Sequence, residues 1–309
     1  MSRFSLSLWL AISLSLGAAA AQRIPDPEFD TSVERPAYKF RHPAVVIDEA
    51  HSNFHTAEGR YKPLAELLRS DGYRVTRGTR KFDWKNLKGA RVLVISNATA
   101  PDATDEASGP AFTDEECNAV RDWVRAGGSL LLIADHTPYG SAAENLAKRF
   151  GVDMGKGTVF DPEHGHKEDP TVLTFSRENR LLGPHPLLRG RDPDEEVKLA
   201  VAFTGQSLGV PDGAVALLKL GPGAREAQSV QELQAATGRP VGGRAQGIAL
   251  KLGKGRVVMM GEAAMFSAQL IRFEQEGKQV EFKMGMNVPG NDDRQLALNI
   301  FHWLSGLLE

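Results

Sequence analysis

The sequence predicts an α/β domain built on a mainly parallel sheet, with some antiparallel strands in its C-terminal half. Three observations carry this. Short runs at Ala44–Ile47, Arg91–Ser96 (RVLVIS) and Ser129–Ala134 (SLLLIA) are apolar at nearly every position, the pattern of strands buried on both faces. Helical patterns separate them, so strand and helix alternate as βαβ units do. Polar clusters follow the runs immediately, at the strand ends where open α/β sheets bind ligands.

The elements follow in order. Residues 1–21 read as a signal peptide: Arg3 gives a short basic region, Phe4–Leu16 an apolar stretch, and Ala19-Ala20-Ala21 a cleavage site. That stretch is short of the ~20 residues needed to span a bilayer, and no other segment could, so a soluble, exported chain is expected in the periplasm or outside the cell. Residues 22–43 hold four prolines and no periodicity, and read as an extended arm along the domain or a spacer. A single domain is expected over 44–309. Its first strand is Ala44–Ile47, followed by a helix over Pro63–Ser70 with Gly72 as its stop. Tyr73–Thr76 and Arg91–Ser96 are the next strands. Thr113-Asp114-Glu115-Glu116 is a capping box opening a helix that ends at Gly127-Gly128. After Ser129–Ala134, a second capping box, Ser141-Ala142-Ala143-Glu144, is expected to open a helix reaching Phe150. Residues 152–191 show little periodicity and read as a long surface excursion. Leu199–Phe203, Ala214–Leu220, Gly247–Leu252 and Arg256–Met260 are strands, the last three spaced for antiparallel pairing, and Leu296–Leu308 is a closing amphipathic helix.

Composition narrows the function. Removing 21 of the 309 residues leaves 288 with 36 basic and 39 acidic side chains, and no basic cluster, so nucleic acid is not expected as a partner. Cys117 is the only cysteine, so no disulfide framework exists, and its place in a helical pattern suits a small, half-buried apolar residue. The letters DEAH at Asp48–His51 suggest a helicase, but no phosphate-binding G-x-x-x-x-G-K-[ST] occurs; nor does the G-x-S-x-G elbow of serine hydrolases.

The candidate site is the set of polar residues at strand ends. Asp48, Glu49, His51 and His55 follow the first strand, Asn97 the third, Asp135 and His136 the fourth, and Glu262 the late strand Arg256–Met260. Parallel neighbours lie about 4.8 Å apart, close enough for these groups to converge on one ligand. The alternative is that the acids simply cap the following helices. Asp48, His51, His55 and His136 offer carboxylate and imidazole ligands for a divalent metal such as zinc, although the spacing matches no established zinc motif. Histidines in such loops also serve as hydrogen-bonding braces. His164 and His166 form a second cluster, readable as part of a lid or as a solvated loop, whereas His42, His185 and His302 read as structural.

Four blocks, VVIDEAHSNFHTAEGRYKPLAELLRSDGYRV, GGSLLLIADHTPYGSAAENLAKRFG, GKGRVVMMGEAAMFSAQ and NDDRQLALNIFHWL, resemble the DUF4350 family. That family is grouped with the class I glutamine amidotransferase-like, flavodoxin-like domains, beside auxiliary domains of gliding-motility ABC transporters. The resemblance implies a doubly wound sheet and says little about activity. Amidotransferases set a cysteine in the turn after a central strand. The corresponding turn here holds Asp135-His136, and Cys117 falls in the preceding helix, so thiol-dependent glutamine hydrolysis is not expected. Two functions remain open: a hydrolase of a small polar substrate, metal-assisted or not, with Glu262 as acid or base, and a non-catalytic module binding a small polar ligand for an envelope or transport complex.

Overall fold

A computed structural model of the protein describes residues 22–104, 107–275 and 278–309, so the expected signal peptide lies outside the described residues. Seven strands form the central sheet: β1 (Ala44–Asp48), β2 (Arg74–Gly78), β3 (Val92–Ser96), β4 (Ser129–Ile133), β5 (Val215–Lys219), β6 (Ala245–Leu252) and β7 (Gly255–Met260). Their order is β2-β1-β3-β4-β7-β6-β5. The first five in that order run parallel, and β6 pairs antiparallel with both β7 and β5. The fold is therefore mixed α/β with a mostly parallel sheet. The chain passes from β1 outward to β2 and returns on the other side at β3. The carboxyl ends of β1 and β3 thus flank a switch in strand order, where a crevice opens in such sheets.

Alternation along each strand supplies two cores. Val45, Ile47, Val92, Val94, Leu131, Ile133, Val258 and Met260 point to one face, against helix α1 (Lys62–Ser70) and helix α4 (Asp293–Ser305). Leu93, Ile95, Leu130, Leu132, Val257 and Met259 point to the other, against α2 (Asp114–Ala126) and α3 (Tyr139–Lys148). This two-sided burial is why the strands read as continuous apolar runs. The Thr113 capping box forms as expected, with the Thr113 hydroxyl accepting from Glu116 N and the Glu116 carboxylate from Thr113 N.

Several local expectations are corrected. Ser141 does not cap α3, which starts two residues earlier at Tyr139 without a side-chain cap, because the turn after β4 feeds the helix directly through Pro138. The excursion over 152–191 contains two strands, Thr158–Phe160 and Val172–Ser176. The second pairs antiparallel with Leu199–Phe203, so Leu199–Phe203 stands in a separate two-stranded sheet. Its alternating burial suits a strand covered on one face, which distinguishes it from the central strands. A long hairpin, Ala268–Gln275 with Lys278–Gly285, has no counterpart in the sequence reading, since polar residues at half of its positions interrupt any apolar run.

The N-terminal arm packs along the domain. Gln22–Pro25 adds an antiparallel strand to Ala268–Gln275. Farther on, Ala37 N donates to the Asp71 carboxylate at 2.7 Å, Tyr38 N to the Asp71 carbonyl at 3.1 Å, and the Tyr38 hydroxyl to Ser305 Oγ at 2.8 Å. Asp71 also meets His302 Nε2 at 2.8 Å, so one buried carboxylate fastens the arm, the end of α1 and helix α4. Gly72 allows this close approach: its φ is +94°, and a Cβ there would sit 1.9 Å from the Tyr38 carbonyl oxygen. Gly72→Ala is therefore expected to destabilise the fold by at least about 1 kcal/mol, from the positive φ and the displaced arm together. Urea unfolding measures this, and an unchanged midpoint would refute it.

Candidate functional site

The loop after β1 distributes its ionisable groups in different directions. Asp48, the last residue of β1, is fully buried, and its two carboxylate oxygens lie 3.0 and 2.9 Å from His51 Nδ1. The other ring nitrogen, Nε2, lies 2.9 Å from Glu116 Oε1 at the start of α2. The imidazole is packed between Phe82, tilted against it, and Phe112, met edge-on, at centroid distances of 4.4 and 4.9 Å. Asp48, His51 and Glu116 thus clamp β1 to α2 across the sheet edge. Glu116 Oε1 also accepts from Phe82 N. Burial raises the Glu116 pKa, but Thr113 N–H, His51 and Phe82 N–H outweigh it and hold the carboxyl below its ordinary value. Glu49 turns away from this clamp and accepts from Ala57 N at 2.9 Å and Arg77 Nε at 2.6 Å, bracing the loop from outside.

A second group gathers at the ends of β3, β4 and β7. Asn97 takes a left-handed φ of 45°, which lets its side chain face Asp135 twice: Nδ2 donates to Asp135 Oδ2 at 2.8 Å, and Oδ1 accepts from Asp135 N at 3.0 Å. Asp135 Oδ1 accepts from Ala263 N at 2.7 Å. The neighbouring Glu262 carboxylate is buried and accepts from Ala264 N and Met265 N at 2.6 and 2.8 Å. Gln206 closes the floor, its Nε2 donating to the carbonyls of Ala134 and Asp135. Burial drives both acids toward the neutral form. It raises the Asp135 pKa against the opposing pull of His136, Asn97 and Ala263 N–H. It raises Glu262 well above a normal carboxyl, and the negative charge of Asp135 adds to the rise.

The side chains beside this floor, from the loop after β1 and the start of α3, are aromatic and cationic. His55 is only 3 % exposed, its ring lies 4.6 Å from that of Tyr61 and 5.2 Å from that of Phe54, and its Nδ1 has no hydrogen-bond partner. Burial, aided by the Arg60 charge, lowers its pKa to about 3, so the imidazole is neutral at physiological pH. The Tyr61 hydroxyl donates to the Ala263 carbonyl and accepts from Ser96. Phe54, 43 % exposed, carries the Arg60 guanidinium over its ring at 3.8 Å and faces the Tyr139 ring at 5.9 Å. His136 is half-buried, with Nδ1 at 2.8 Å from the Thr137 carbonyl.

The expected residues therefore divide. Asp135, Glu262 and Asn97 come together, with His55 and His136 beside them, whereas Asp48, Glu49 and His51 are engaged in bracing. The proposed metal set Asp48, His51, His55 and His136 does not fit an ion: Asp48 and Glu116 occupy both His51 nitrogens, and among the described residues no group of three or more His, Cys, Asp or Glu could hold a metal. His164 pairs with Asp161 at 3.0 Å, while His42, His185 and His302 make the structural bonds expected of them, to Gly72 O, Leu187 N and Asp71. Cys117 is fully buried, and burial pushes its thiol up to about 11. Sequence reasoning missed Tyr61, Gln206 and Arg60 as site residues. Tyr61 and Arg60 stood in the same loop as His55, and no local signal marked Gln206.

Comparison with known proteins places the chain in a family. The model for the domain of unknown function DUF4350 matches residues 54–275, and the chain belongs to that family. Among solved structures it is similar to the mmIFT52 N-terminal domain, at 15% identity with a TM-score of 0.58, covering 84% of this chain and 97% of that one. It is also similar to a protein described as ThuA-like from Bacteroides uniformis, at 15% identity and TM-score 0.44 over 90% and 95% of the two chains. A cytoplasmic protein of Salmonella typhimurium LT2 aligns at 14% identity and TM-score 0.44 over 85% and 99%. No curated protein matches. At such identities the likeness concerns the fold alone, and only the first score is high enough to support it.

Two predictions follow from this geometry. His51→Phe leaves two buried carboxylates without their shared partner and is expected to cost about 3–5 kcal/mol in urea unfolding. A loss below about 1 kcal/mol would reduce the clamp to the level of a surface ion pair. His55 gives a signed pH effect. Its folded pKa of about 3 lies below the ordinary 6.5, so the unfolded chain takes up a proton first and stability falls as pH drops from 6.5 toward 3. His55→Phe should flatten unfolding midpoints over that window, and an unaltered slope would contradict the assignment.

Proposed function

We propose that this domain is a non-catalytic recognition module that holds a small polar ligand in the crevice at the carboxyl ends of β1, β3 and β4. In this reading Asp135, held by the buried Asn97, and His136 present the polar contacts, Phe54, His55 and Tyr139 the walls, and the sheet is of the doubly wound, glutamine amidotransferase-like kind. An exported chain acting beside an envelope or transport complex fits the leader-like residues 1–21 and the absence, among the described residues, of any helix long and apolar enough to cross a membrane. One observation carries the reading. Each carboxylate oxygen of Asp135 and Glu262 already accepts an N–H of the protein, and both oxygens of Asp48 face His51, so these acids shape a rigid floor. Rigid groups of this kind recognise a ligand without needing to exchange protons with it.

Hydrolysis is the second reading, favoured by the raised pKa values of Asp135 and Glu262. A carboxyl whose pKa burial raises can act as a general acid. Ligand-observed NMR on the purified protein with panels of sugars, short peptides and small acids separates the two. Saturable binding without turnover, weakened about tenfold by Asp135→Asn, is the expected result. Cleavage of an amide, ester or glycoside that vanishes in Asp135→Asn would replace recognition with hydrolysis.

A further inference from the structure

Arg60 has a setting that the fold does not explain. Its Nε is buried without any hydrogen-bond partner. Its guanidinium carbon lies over the Phe54 ring, 3.8 Å from the centroid, and no Asp or Glu within ion-pair distance of it is found among the described residues. Arg225 also buries its Nε without a partner, but no aromatic ring is stacked against it among the described contacts, whereas Arg191, Arg239 and Arg244 each meet a carboxylate. The surroundings of Arg60 add no counter-charge. The nearest ionisable neighbours that influence it are Arg23, of like sign, Tyr139 and the neutral His55. Burial and Arg23 accordingly lower its pKa, the response of a cation held where a negative charge is missing.

A guanidinium laid on an aromatic face keeps its N–H edge available, and that edge matches the oxygens of a carboxylate or phosphate. We infer that Arg60, set on Phe54 beside His55, is the docking point for an anionic oxygen group, carboxylate or phosphate, of the ligand bound in the crevice. This rests on the recognition reading above and names the ligand class that reading left open. The anionic group sits against Arg60, while the neutral polar part of the ligand reaches the Asn97–Asp135 floor. The same arrangement explains why a buried histidine is left with a free Nδ1 there: His55 offers a hydrogen-bonding atom beside the cation. The structural alternative is a cation–π cover over an exposed phenylalanine, which would not require a buried, unpartnered Nε.

The test is a titration of the purified protein with inorganic phosphate, acetate and a neutral sugar, followed by histidine and aromatic NMR resonances. Saturable shifts at His55 and Phe54 with phosphate or acetate are expected. The response to each anion separates the two sources: phosphate alone indicates a tetrahedral group, acetate alone a planar one, and either outcome supports the inference. Arg60→Gln should abolish the shifts, and Arg60→Lys should weaken them about tenfold through loss of the two-pronged contact. Bound anion should also raise the His55 pKa from about 3, because it offsets the Arg60 charge that helps to lower it. Unchanged anion response in both variants, or no shift at His55 at any anion concentration, overturns the inference. Sugar binding without anion binding would refute Arg60 docking and leave the recognition reading standing. Phosphate and acetate do not reach the floor, so their binding should be indifferent to Asp135→Asn; anion binding with no neutral or peptide ligand sensitive to Asp135→Asn would leave Arg60 docking standing and refute the recognition reading.

Discussion

The Asn97–Asp135 pair is the contact on which the geometry of the sheet edge depends. A parallel sheet brings its strand ends together at one edge, and each ends in backbone groups that no strand partner satisfies. Asn97 and Asp135 exchange two hydrogen bonds there, Asn97 N reaches Ile133 O, and Asp135 reaches on to Ala263 N. Three strand ends, β3, β4 and β7, are fastened by these few bonds. Asn97 can do this because its short amide tolerates the left-handed backbone that a longer or branched side chain resists.

Around that tie the loops sort into braces and walls. The Asp48–His51–Glu116 clamp holds the β1 loop to α2, Glu49 fixes the same loop to Arg77, and Glu262 binds the turn that follows β7. Each removes an ionisable side chain from the pool available to a ligand. What remains is a floor of carboxyls whose pKa values burial raises, and beside it Phe54, His55, Arg60 and Tyr139.

Much of this was legible in the chain. Continuous apolar runs located β1, β3, β4 and β7 because both faces of each are covered, and polar residues directly after them located Asp48, Asn97, Asp135 and Glu262. The Thr113 capping box was legible because its two hydrogen bonds are local. The Ser141 box failed because its four letters lie inside a helix that the turn through Pro138 starts earlier. The hairpin over 268–285 escaped notice because its strands are polar on much of their surface, and their pairing with Gln22–Pro25 joins segments far apart in sequence.

The amino-acid pattern established the class of fold, the edge of the sheet at which the polar residues gather, and the place of Cys117 in a helix. Those features follow from local periodicity and from residue types that keep their character wherever they are placed. Pairing was settled by three-dimensional packing. Glu116, sixty-five residues from His51, takes the imidazole nitrogen that a metal would have needed. Ala263, one hundred and twenty-eight residues from Asp135, takes its carboxylate oxygen. Arg60 keeps its Nε without a partner, and among the described residues no acid lies within ion-pair distance of it. Whether a charged side chain braces the fold or awaits a ligand depends on which distant partner arrives beside it, and spacing along the chain does not encode that partner.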